Sequence, residues 1–529
     1  MVQLRRLLFL FLAPFAVEAF ISPTFHHSKL TTNHKNSLRH FKNSQTITTM
    51  SSQSTLEITS CKRLVLVGGG HAHLQVIKAL NHASRPEDLE VVLVDLTGQP
   101  GYSGMVPSTV AGIYDPSEPL IDLEPLANWS QIRFVRDRVV DIDVDSKVLT
   151  TRGNEKIAFD AVSIDIGSAS RGLEDVPGAR ENTIPTRPIT ELVRRIEEET
   201  KTLKEQVDKP KVEVAVVGGG AAGIELAMNV LGRWKPIVGE SNISVTILSS
   251  FDKLLPSETR ANQESLMNRL AERNIQVVYD ATVTRIDEDS LLLDTGERFD
   301  FTHCLFATGA GCHSQLSLSL RDYGLAVSDR GWIQVNESFQ SVSHPFVFAA
   351  GDCCTLTLPG GAPSPPKAGV YAVRAGPILI ENLTRYLYPS ENSSLEKFEP
   401  QPDFLKLLAC GDGKALGFRF GIPIYGKWVY QLKDTIDRSF MDLFRLENLP
   451  ELVPGQPYDT SQYDAVAYRP PPIPAFEAAI LLKRTDDDVD YETAWNALRD
   501  MAQDEEYKEN VLSHMGVRSL SEDAIAAVA

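Results

Sequence analysis

Two glycine-rich turns, each between an apolar strand and a helix, restrict the fold of this chain more than any other feature. The first turn, Gly68-Gly69-Gly70, follows a strand-like run at 63–67 that is apolar from Leu64 onward, and apolar residues then recur at helical spacing. A further apolar run ends in Asp95 and completes a β-α-β unit. The same order returns from residue 212 and leads into the glycine-rich stretch 218–223. The pattern predicts an α/β fold with two Rossmann-like domains of the three-layer ββα type.

Glycines at a strand-to-helix turn indicate dinucleotide binding. Without side chains, the backbone can approach a pyrophosphate, whose charge then lies on free amides at the positive end of the helix. One such turn often serves only packing, but two in matching positions favour two dinucleotide sites. Asp95 can accept hydrogen bonds from both ribose hydroxyls of an adenosine; the alternative is a solvated loop acid. His73 stands where the third glycine of the first turn is expected, so it either holds helix and strand apart or fills a gap between small neighbours.

A later strand and helix indicate which dinucleotide binds first along the chain. Gly351-Asp352 ends an apolar run, and a carboxylate there can accept hydrogen bonds from a sugar-alcohol chain such as the ribityl of a flavin. The stretch 365–368, Pro-Pro-Lys-Ala, predicts a helix start with Pro366 in the first turn. The N-terminal amides of this helix would stabilise negative charge on a reduced flavin. The alternative is a capped surface helix.

These motifs resemble the pyridine nucleotide-disulfide oxidoreductase superfamily. The resemblance rests on the order of the two turns, Asp95, Glu225, Ala307-Thr308-Gly309 and Gly351-Asp352. Within the superfamily, four stretches resemble the type II NADH dehydrogenase-like flavoproteins, particularly those fused to selenide, water dikinase. The stretches are Gly-Gly-Gly-His-Ala-His at 68–73, Tyr-Ser-Gly-Met at 102–105, Pro-Lys-Ala-Gly at 366–369 and Gly-Asp-Gly at 411–413, and the resemblance covers about residues 61 to 445.

The resemblance implies FAD along the first turn, NAD(P)H along the second, and a quinone as electron acceptor. Hydride would pass directly from nicotinamide to flavin, with the protein supplying alignment. Glu225 and Lys367 match family positions near the nicotinamide and the flavin pyrimidine, so either could assist proton delivery; the alternatives are a helix-surface acid and a helix-cap lysine. The cofactor contacts expected are Gly68, Gly69, Gly70, His71, Asp95, Gly167, Gly351, Asp352 and Ala368 for FAD, with Gly218, Gly220, Gly223, Ser249 and Gly309 for NAD(P)H.

The cysteines exclude a redox disulfide of the kind found in the disulfide branch of the superfamily. Those enzymes carry a CxxxxC pair near the first flavin helix, whereas this chain has no cysteine between Cys61 and Cys304. Sulfide:quinone reductases need cysteines on both sides of that gap and are disfavoured. Cys353 and Cys354 are interpreted as structural. No CxxC spacing is present, and His71 and His73 alone do not make a metal site, so no metal is predicted.

The length of the chain indicates several domains, and its charge excludes one class of partner. A chain of 529 residues is too long for a single core, and its net charge of −18 excludes a general nucleic-acid footprint. A charged helical connector is predicted at 190–207. The predicted segments are 61–187 with 301–385 for FAD, 208–300 for NAD(P)H, 396–450 for a C-terminal α+β region, and 451–529 for an acidic, proline-containing tail.

Residues 1–50 are expected to be a targeting leader rather than part of the fold. Arg5 and Arg6 precede an apolar run at 7–17 and the pair Ala19-Phe20, in the order of a signal peptide, and no acidic residue occurs from 19 to 56. This resembles the bipartite signal plus transit peptide of algae with complex plastids. The alternative is the secretory pathway.

Three further expectations concern partners. Apolar residues recur on one face of a helix at 428–444, with Lys433 and Asp437 on the other, so the helix either faces the core or lies on a membrane. A homodimer is also expected.

The second unit ends its strand at Leu248-Ser249-Ser250, without the acid that selects NADH, which favours NADPH or dual use. The alternatives to a quinone reductase are a reductase of a soluble acceptor and a redox-sensing flavoprotein.

Overall fold

The computed structural model describes residues 61–390, 394–401, 404–419 and 422–455. The predicted leader and the tail from 456 onward lie outside these residues. The helices are α1 His71–Ala79, α2 Val106–Val110, α3 Leu123–Ser130, α4 Ala179–Asn182, α5 Ile189–Glu205, α6 Ala221–Val238, α7 Arg260–Glu272, α8 Ser314–Asp322, α9 Gly369–Leu387 and α10 Lys427–Asp442.

The strands follow in the same chain order. They are β1 Lys62–Val67, β2 Leu89–Asp95, β3 Arg133–Arg136, β4 Val139–Asp143, β5 Val148–Thr151, β6 Lys156–Ala158, β7 Ala161–Ile164, β8 Ala169–Ser170, β9 Ile184–Pro185, β10 Val212–Val217, β11 Ile243–Leu248, β12 Gln276–Val278, β13 Val283–Ile286, β14 Ser290–Leu293, β15 Arg298–Asp300, β16 His303–Phe306, β17 Ala310–Gly311, β18 Ile333–Val335, β19 Val347–Ala349, β20 Cys354–Leu356, β21 Lys406–Ala409, β22 Ala415–Arg419 and β23 Ile422–Gly426.

The first domain is built on a parallel sheet with the strand order β19-β7-β1-β2-β3. Its central strands are apolar at successive positions because both faces are covered; Leu64, Val65 and Leu66 are completely buried. Helices α1 and α9 pack against each other, and they share one core with this sheet and with the antiparallel sheet β4-β5-β6. This is the predicted ββα arrangement.

The second domain repeats the plan with the parallel order β12-β11-β10-β16-β9 and the antiparallel sheet β13-β14-β15. The predicted fold class is therefore confirmed. The boundary placed at residue 301 is wrong, because β16 pairs with β10 inside the second sheet, with Val216 opposite Leu305. Strand β9, expected in the first domain, also joins this sheet by pairing with β16. A short apolar strand fits either sheet, and only its long-range pairing decides between them.

The C-terminal region is an antiparallel sheet, β21-β22-β23, together with α10. Side chains of β21 and β22 share a core with α6 of the second domain, whereas Phe440 and Phe444 belong to the core of the first. The region therefore contacts both dinucleotide domains.

Helix α10 faces the protein on both of its main sides. Val429, Leu432 and Phe440 are buried, as expected for the core-facing alternative. Lys433 and Asp437, expected on an exposed polar face, are buried as well. This part of the prediction is wrong, because that face packs on the segment 102–118 of the first domain. On the apolar face of α10, Trp428, Ile436 and Leu443 stay partly exposed. Among the described residues no helix has the length and apolar composition needed to cross a membrane.

Candidate functional site

The first glycine turn is shaped by strand ends that converge on it. Gly68 follows β1 with φ +91°, and a Cβ there would lie 2.4 Å from the carbonyl oxygen of Asp165, so only glycine fits. The amide of Gly70 donates to the same carbonyl at 3.0 Å. These contacts fix the turn close to β7 and leave the N-terminus of α1 directly after it.

Asp95 lies at the end of β2 as predicted, and it holds this turn. Its Oδ2 accepts the amide of Gly69 at 2.9 Å, and its Oδ1 accepts the amide of Gly98 at 2.7 Å. The alternative of a solvated loop acid is therefore wrong. Each carboxylate oxygen can accept more than one hydrogen bond, so the group can hold the turn and still receive a ribose hydroxyl.

His73 fills the space between α1 and the sheet. The side chain is completely buried, with Nδ1 2.7 Å from the carbonyl of Gly68 and Nε2 2.7 Å from Oγ of Ser163. Burial lowers the pKa of His73 to about 4, so the ring is neutral at pH 7. Since a carbonyl only accepts, Nδ1 carries the proton and Nε2 accepts from Ser163. The histidine thus replaces the third glycine by bonding helix to sheet.

Asp352 lies in a second strand-end turn, after β19. Its Oδ2 accepts the hydroxyl of Ser168 at 3.0 Å and lies 3.4 Å from the guanidinium of Arg187. It lines a cavity together with Gly351, Lys367 and Ala368. Ser168 and Arg187 thus orient the carboxylate, which also lines a cavity. An acid that binds a ribityl chain requires both.

Helix α9 begins later than predicted. Its first residue is Gly369 and its N-cap is Ala368, so Pro366 and Lys367 precede the helix instead of forming its first turn. The Lys367 ammonium donates to the carbonyl of Cys354 and lies 4.6 Å from the ring centre of Trp332. Lys367 therefore ties the preceding segment to β20 rather than capping a helix.

His71, directly after the first turn, has an unsatisfied hydrogen-bonding atom. Its Nε2 is buried without a hydrogen-bond partner, and its ring lies 5.4 Å from that of Tyr102 and 5.3 Å from that of Phe440. Burial lowers the pKa of His71 to about 4. Gly167 has open space around its Cβ position. A buried nitrogen without a partner and, separately, an open glycine turn after β7 are both features that a bound flavin nucleotide would account for.

The second turn repeats the backbone of the first. Gly218 has φ +127°, and a Cβ there would lie 2.2 Å from the carbonyl oxygen of Ala307; at Gly223 it would lie 2.0 Å from that of Gly218. These two glycines are required for packing. Gly220, by contrast, has nothing within 4 Å of its Cβ position. The open position at the N-terminus of α6 fits a pyrophosphate, and Gly309, with φ +98°, lies in the turn shortly after β16.

Ser249 occupies the position in the second unit that Asp95 occupies in the first. In the first sheet Val67, the residue before the first glycine turn, pairs with Val94, and Asp95 comes next. In the second sheet Val217, the residue before the second glycine turn, pairs with Leu248, and Ser249 comes next. Ser249 is completely buried, and its hydroxyl accepts the amide of Phe251 at 3.2 Å. The second site therefore has no carboxylate at this position.

Glu225 is held in the second domain beside the C-terminal region. Its Oε1 accepts the amide of Ala409 at 2.8 Å. Burial raises the pKa of Glu225 to about 7, although the nearby Lys433 opposes the shift. The alternative of a simple helix-surface acid is therefore wrong, because the residue is partly buried and its carboxyl group is held by the amide of Ala409.

A buried charged cluster on α10 was missed by sequence reasoning. The Lys433 ammonium lies 2.9 Å from Oδ2 of Asp437 and donates to the carbonyl of Gly104 at 2.6 Å. Tyr102 hydrogen-bonds Asp437, and burial together with that carboxylate raises the pKa of the phenol well above 10.0. The i, i+4 spacing of Lys433 and Asp437 was a usable signal, but an exposed helix pair has the same spacing.

Asp165 was also missed. It follows β7 directly, its side chain is almost completely buried, and its Oδ2 accepts the amides of Ala72 at 3.0 Å and His73 at 3.3 Å. An acid at the end of an apolar strand was its only sequence signal. Within the described part of the chain, no three His, Cys, Asp or Glu side chains form a group that could hold a metal ion.

The chain is similar in sequence to known proteins. The family model for pyridine nucleotide-disulphide oxidoreductases matches residues 62–376. The chain is 24% identical over 391 residues to a type II NADH:quinone oxidoreductase of Staphylococcus aureus strain NCTC 8325, covering 71% of this chain and 94% of that protein.

Two solved structures show the same fold. NDH2 from Plasmodium falciparum in complex with NADH gives a TM-score of 0.61 at 13% identity, over 74% of this chain and 99% of the other. The sulfide:quinone oxidoreductase from Aquifex aeolicus gives a TM-score of 0.61 at 19% identity, over 73% of this chain and 92% of the other.

The two turns, the acids at the strand ends and the family match agree with one another. Asp95, His71 and Asp352 surround the first turn as an FAD site requires, and the open position at Gly220 suits NAD(P)H. The chain belongs to the pyridine nucleotide-disulphide oxidoreductase family and is an FAD-dependent NAD(P)H oxidoreductase similar to the type II NADH dehydrogenases.

Proposed function

We propose that this enzyme reduces a quinone with electrons from NAD(P)H. Asp95 and Asp352 would hold FAD, which would supply the two-electron chemistry between NAD(P)H and the acceptor. A hydride supplies two electrons and one proton, so a quinone becomes a quinol only when one more proton arrives. Glu225 carries the proposal: with a pKa of about 7, its carboxyl group can both take up and release a proton near neutral pH.

The buried cluster on α10 supports a route for that proton. Lys433 interacts electrostatically with both Glu225 and Asp437, and Asp437 bonds Tyr102. The ring of Tyr102 stacks on Phe440 at 4.5 Å beside His71. Electrostatic interactions and hydrogen bonds thus link Glu225 to Tyr102 through Lys433 and Asp437, and Tyr102 contacts His71 through its ring. A reductase that passes single electrons to a protein would not require such a series, which favours a proton-consuming acceptor.

Glu225→Gln tests this role. The substitution keeps a hydrogen-bond acceptor for the amide of Ala409 but cannot release a proton. We expect the reduction of FAD by NAD(P)H to be little changed and its reoxidation by a short-chain quinone to slow by about 100-fold or more at pH 7. Anaerobic stopped-flow measurement of the two half-reactions separates them, with Glu240→Gln, at an exposed position, as the control. Equal reoxidation rates in Glu225→Gln and wild type would remove the proposed role.

Stopped-flow measurement of flavin reoxidation by different acceptors also separates the alternative functions. Rapid reoxidation by a quinone analogue supports the proposal. Rapid reoxidation only by a small redox protein would identify a soluble acceptor. Slow reoxidation by every acceptor would favour a redox-sensing flavoprotein. The similar protein of Staphylococcus aureus is an NADH:quinone oxidoreductase, which favours the first outcome.

Further proposals concern coenzyme and location. We propose that NADPH is accepted as well as NADH, since Ser249 replaces the acid that would repel a 2′-phosphate.

We also propose import into a complex plastid by residues 1–50. We also propose that peripheral membrane contact brings the enzyme to a lipid-soluble quinone, and membrane fractionation tests it. Sedimentation of the purified enzyme tests the proposed homodimer.

A further inference from the structure

Asp165 is a buried carboxyl group between the two halves of the FAD site. It follows β7, which lies between β1 and β19 in the first sheet. The turns after those two neighbouring strands carry Gly68 and Gly351 of the flavin motifs. Asp165 is only 2% exposed, so its charge state is determined by the protein and by what binds above it.

The carboxyl group occupies the positive end of α1. Its Oδ2 accepts the amides of Ala72 and His73, which are the second and third residues of that helix. Free amides at this helix end are the groups that normally stabilise a bound pyrophosphate. Asp165 and the pyrophosphate of FAD therefore depend on the same helix terminus.

Two glycines of the FAD motifs make room for this carboxyl group. A Cβ on Gly70 would lie 2.1 Å from Oδ1 of Asp165, and a Cβ on Gly351 would lie 2.6 Å from the same atom. Any side chain at either position would collide with Asp165. The absence of side chains at Gly70 and Gly351 thus serves Asp165 as well as the approach of a cofactor.

An ionised Asp165 would oppose FAD binding. Its negative charge would repel the pyrophosphate and neutralise the helix end that attracts it. A neutral carboxyl group still accepts both amides through Oδ2 and adds no charge. We propose that Asp165 takes up a proton from solvent when FAD binds and that the neutral group positions the N-terminus of α1 and the Gly351 turn at the cofactor.

Among the buried groups around the first turn whose pKa is shifted, Asp165 has the pKa nearest to neutral pH. Burial raises the pKa of Asp165 to about 7, opposed by the two helix amides and assisted by Asp352. Burial lowers the pKa of His71 and of His73 to about 4. It raises the pKa of the Cys354 thiol to about 12 and that of Cys353 well above 9.0. The charged groups that face this region are Asp352, paired with Arg187, Asp95, and Lys367, bonded to the carbonyl of Cys354.

The test is the pH dependence of FAD binding to the deflavinated enzyme. Because FAD favours the protonated form, we expect the dissociation constant of wild type to rise between pH 7 and 9, by up to about tenfold per unit. Asp165→Asn keeps an acceptor for both amides but carries no charge, so its affinity should be independent of pH and should exceed that of wild type at pH 9. Asp352→Asn is the control: it should weaken binding but keep a dissociation constant that rises with pH, with the rise beginning at lower pH because the charge of Asp352 no longer helps to raise the pKa of Asp165.

A second measurement does not depend on a variant. Calorimetry of wild type at pH 8, in two buffers with different ionisation enthalpies, should show uptake of nearly one proton for each FAD bound. No proton uptake, a flat pH profile in wild type, or the wild-type slope in Asp165→Asn would each overturn the proposal. It rests on FAD binding and not on the acceptor, so it can fail while quinone reduction stands, and the reverse.

Discussion

The buried ion pair of α10 makes a quantitative prediction about how the C-terminal region is held in place. The side chains of Lys433 and Asp437 are 6% and 3% exposed and lie 2.9 Å apart. Lys433→Met removes the ammonium and leaves the Asp437 carboxylate buried with Tyr102 as its remaining partner. Breaking a buried pair from one side costs about 3–5 kcal/mol, because the remaining charge stays out of water.

The cost should appear as local opening, since α10 joins the C-terminal region to the first domain. Hydrogen exchange measured by mass spectrometry reports the opening free energy of α10 directly. We expect amides of α10 in Lys433→Met to exchange about 100-fold faster or more, which corresponds to the lower end of that range. The exposed Lys427→Met on the same helix is the control and should change exchange little.

A double variant tests whether charge is the cause. In Lys433→Met with Asp437→Leu no charge of the pair remains, and replacing a buried pair with apolar side chains is often neutral or stabilising. Most of the lost protection should return. If Lys433→Met costs less than about 1 kcal/mol, or if the double variant is no better than the single one, solvent reaches the pair and the reasoning from burial is wrong.

Two other predictions concern the second site and the leader. Ser249→Asp restores an acid at the position equivalent to Asp95, so we expect the ratio of kcat/KM for NADH to that for NADPH to rise about 10-fold or more; an unchanged ratio in steady-state assays would mean that the ribose does not approach this strand end. Residues 1–50 fused to a fluorescent protein should direct it into the plastid of an alga with complex plastids. Secretion of the fusion would instead support the alternative address.

The sequence was sufficient where function depends on local backbone geometry. Gly68 and Gly218 lie at strand ends with positive φ, and Asp95 bonds the turn it was expected to serve. The sequence was insufficient where the position of a strand or the burial of a side chain depends on contacts between distant segments. Strand β16 could have joined either sheet, and the buried side chains of Lys433 and Asp437 have the spacing of an exposed helix pair. Their burial follows from the packing of α10 on residues 102–118, which no local pattern encodes.

The glycines of the two turns show why such a motif is a weak signal by itself. Gly218 and Gly223 are required because a Cβ would strike a backbone carbonyl, whether or not a ligand binds. Gly70 is required by the carboxyl group of Asp165, a residue of the same chain. Only Gly220, among these four, faces open space that a pyrophosphate can enter. A glycine pattern therefore establishes close packing first, and the case for a dinucleotide rests on what lies beyond the glycines: an open helix end, a strand-end acid and an unpaired buried nitrogen.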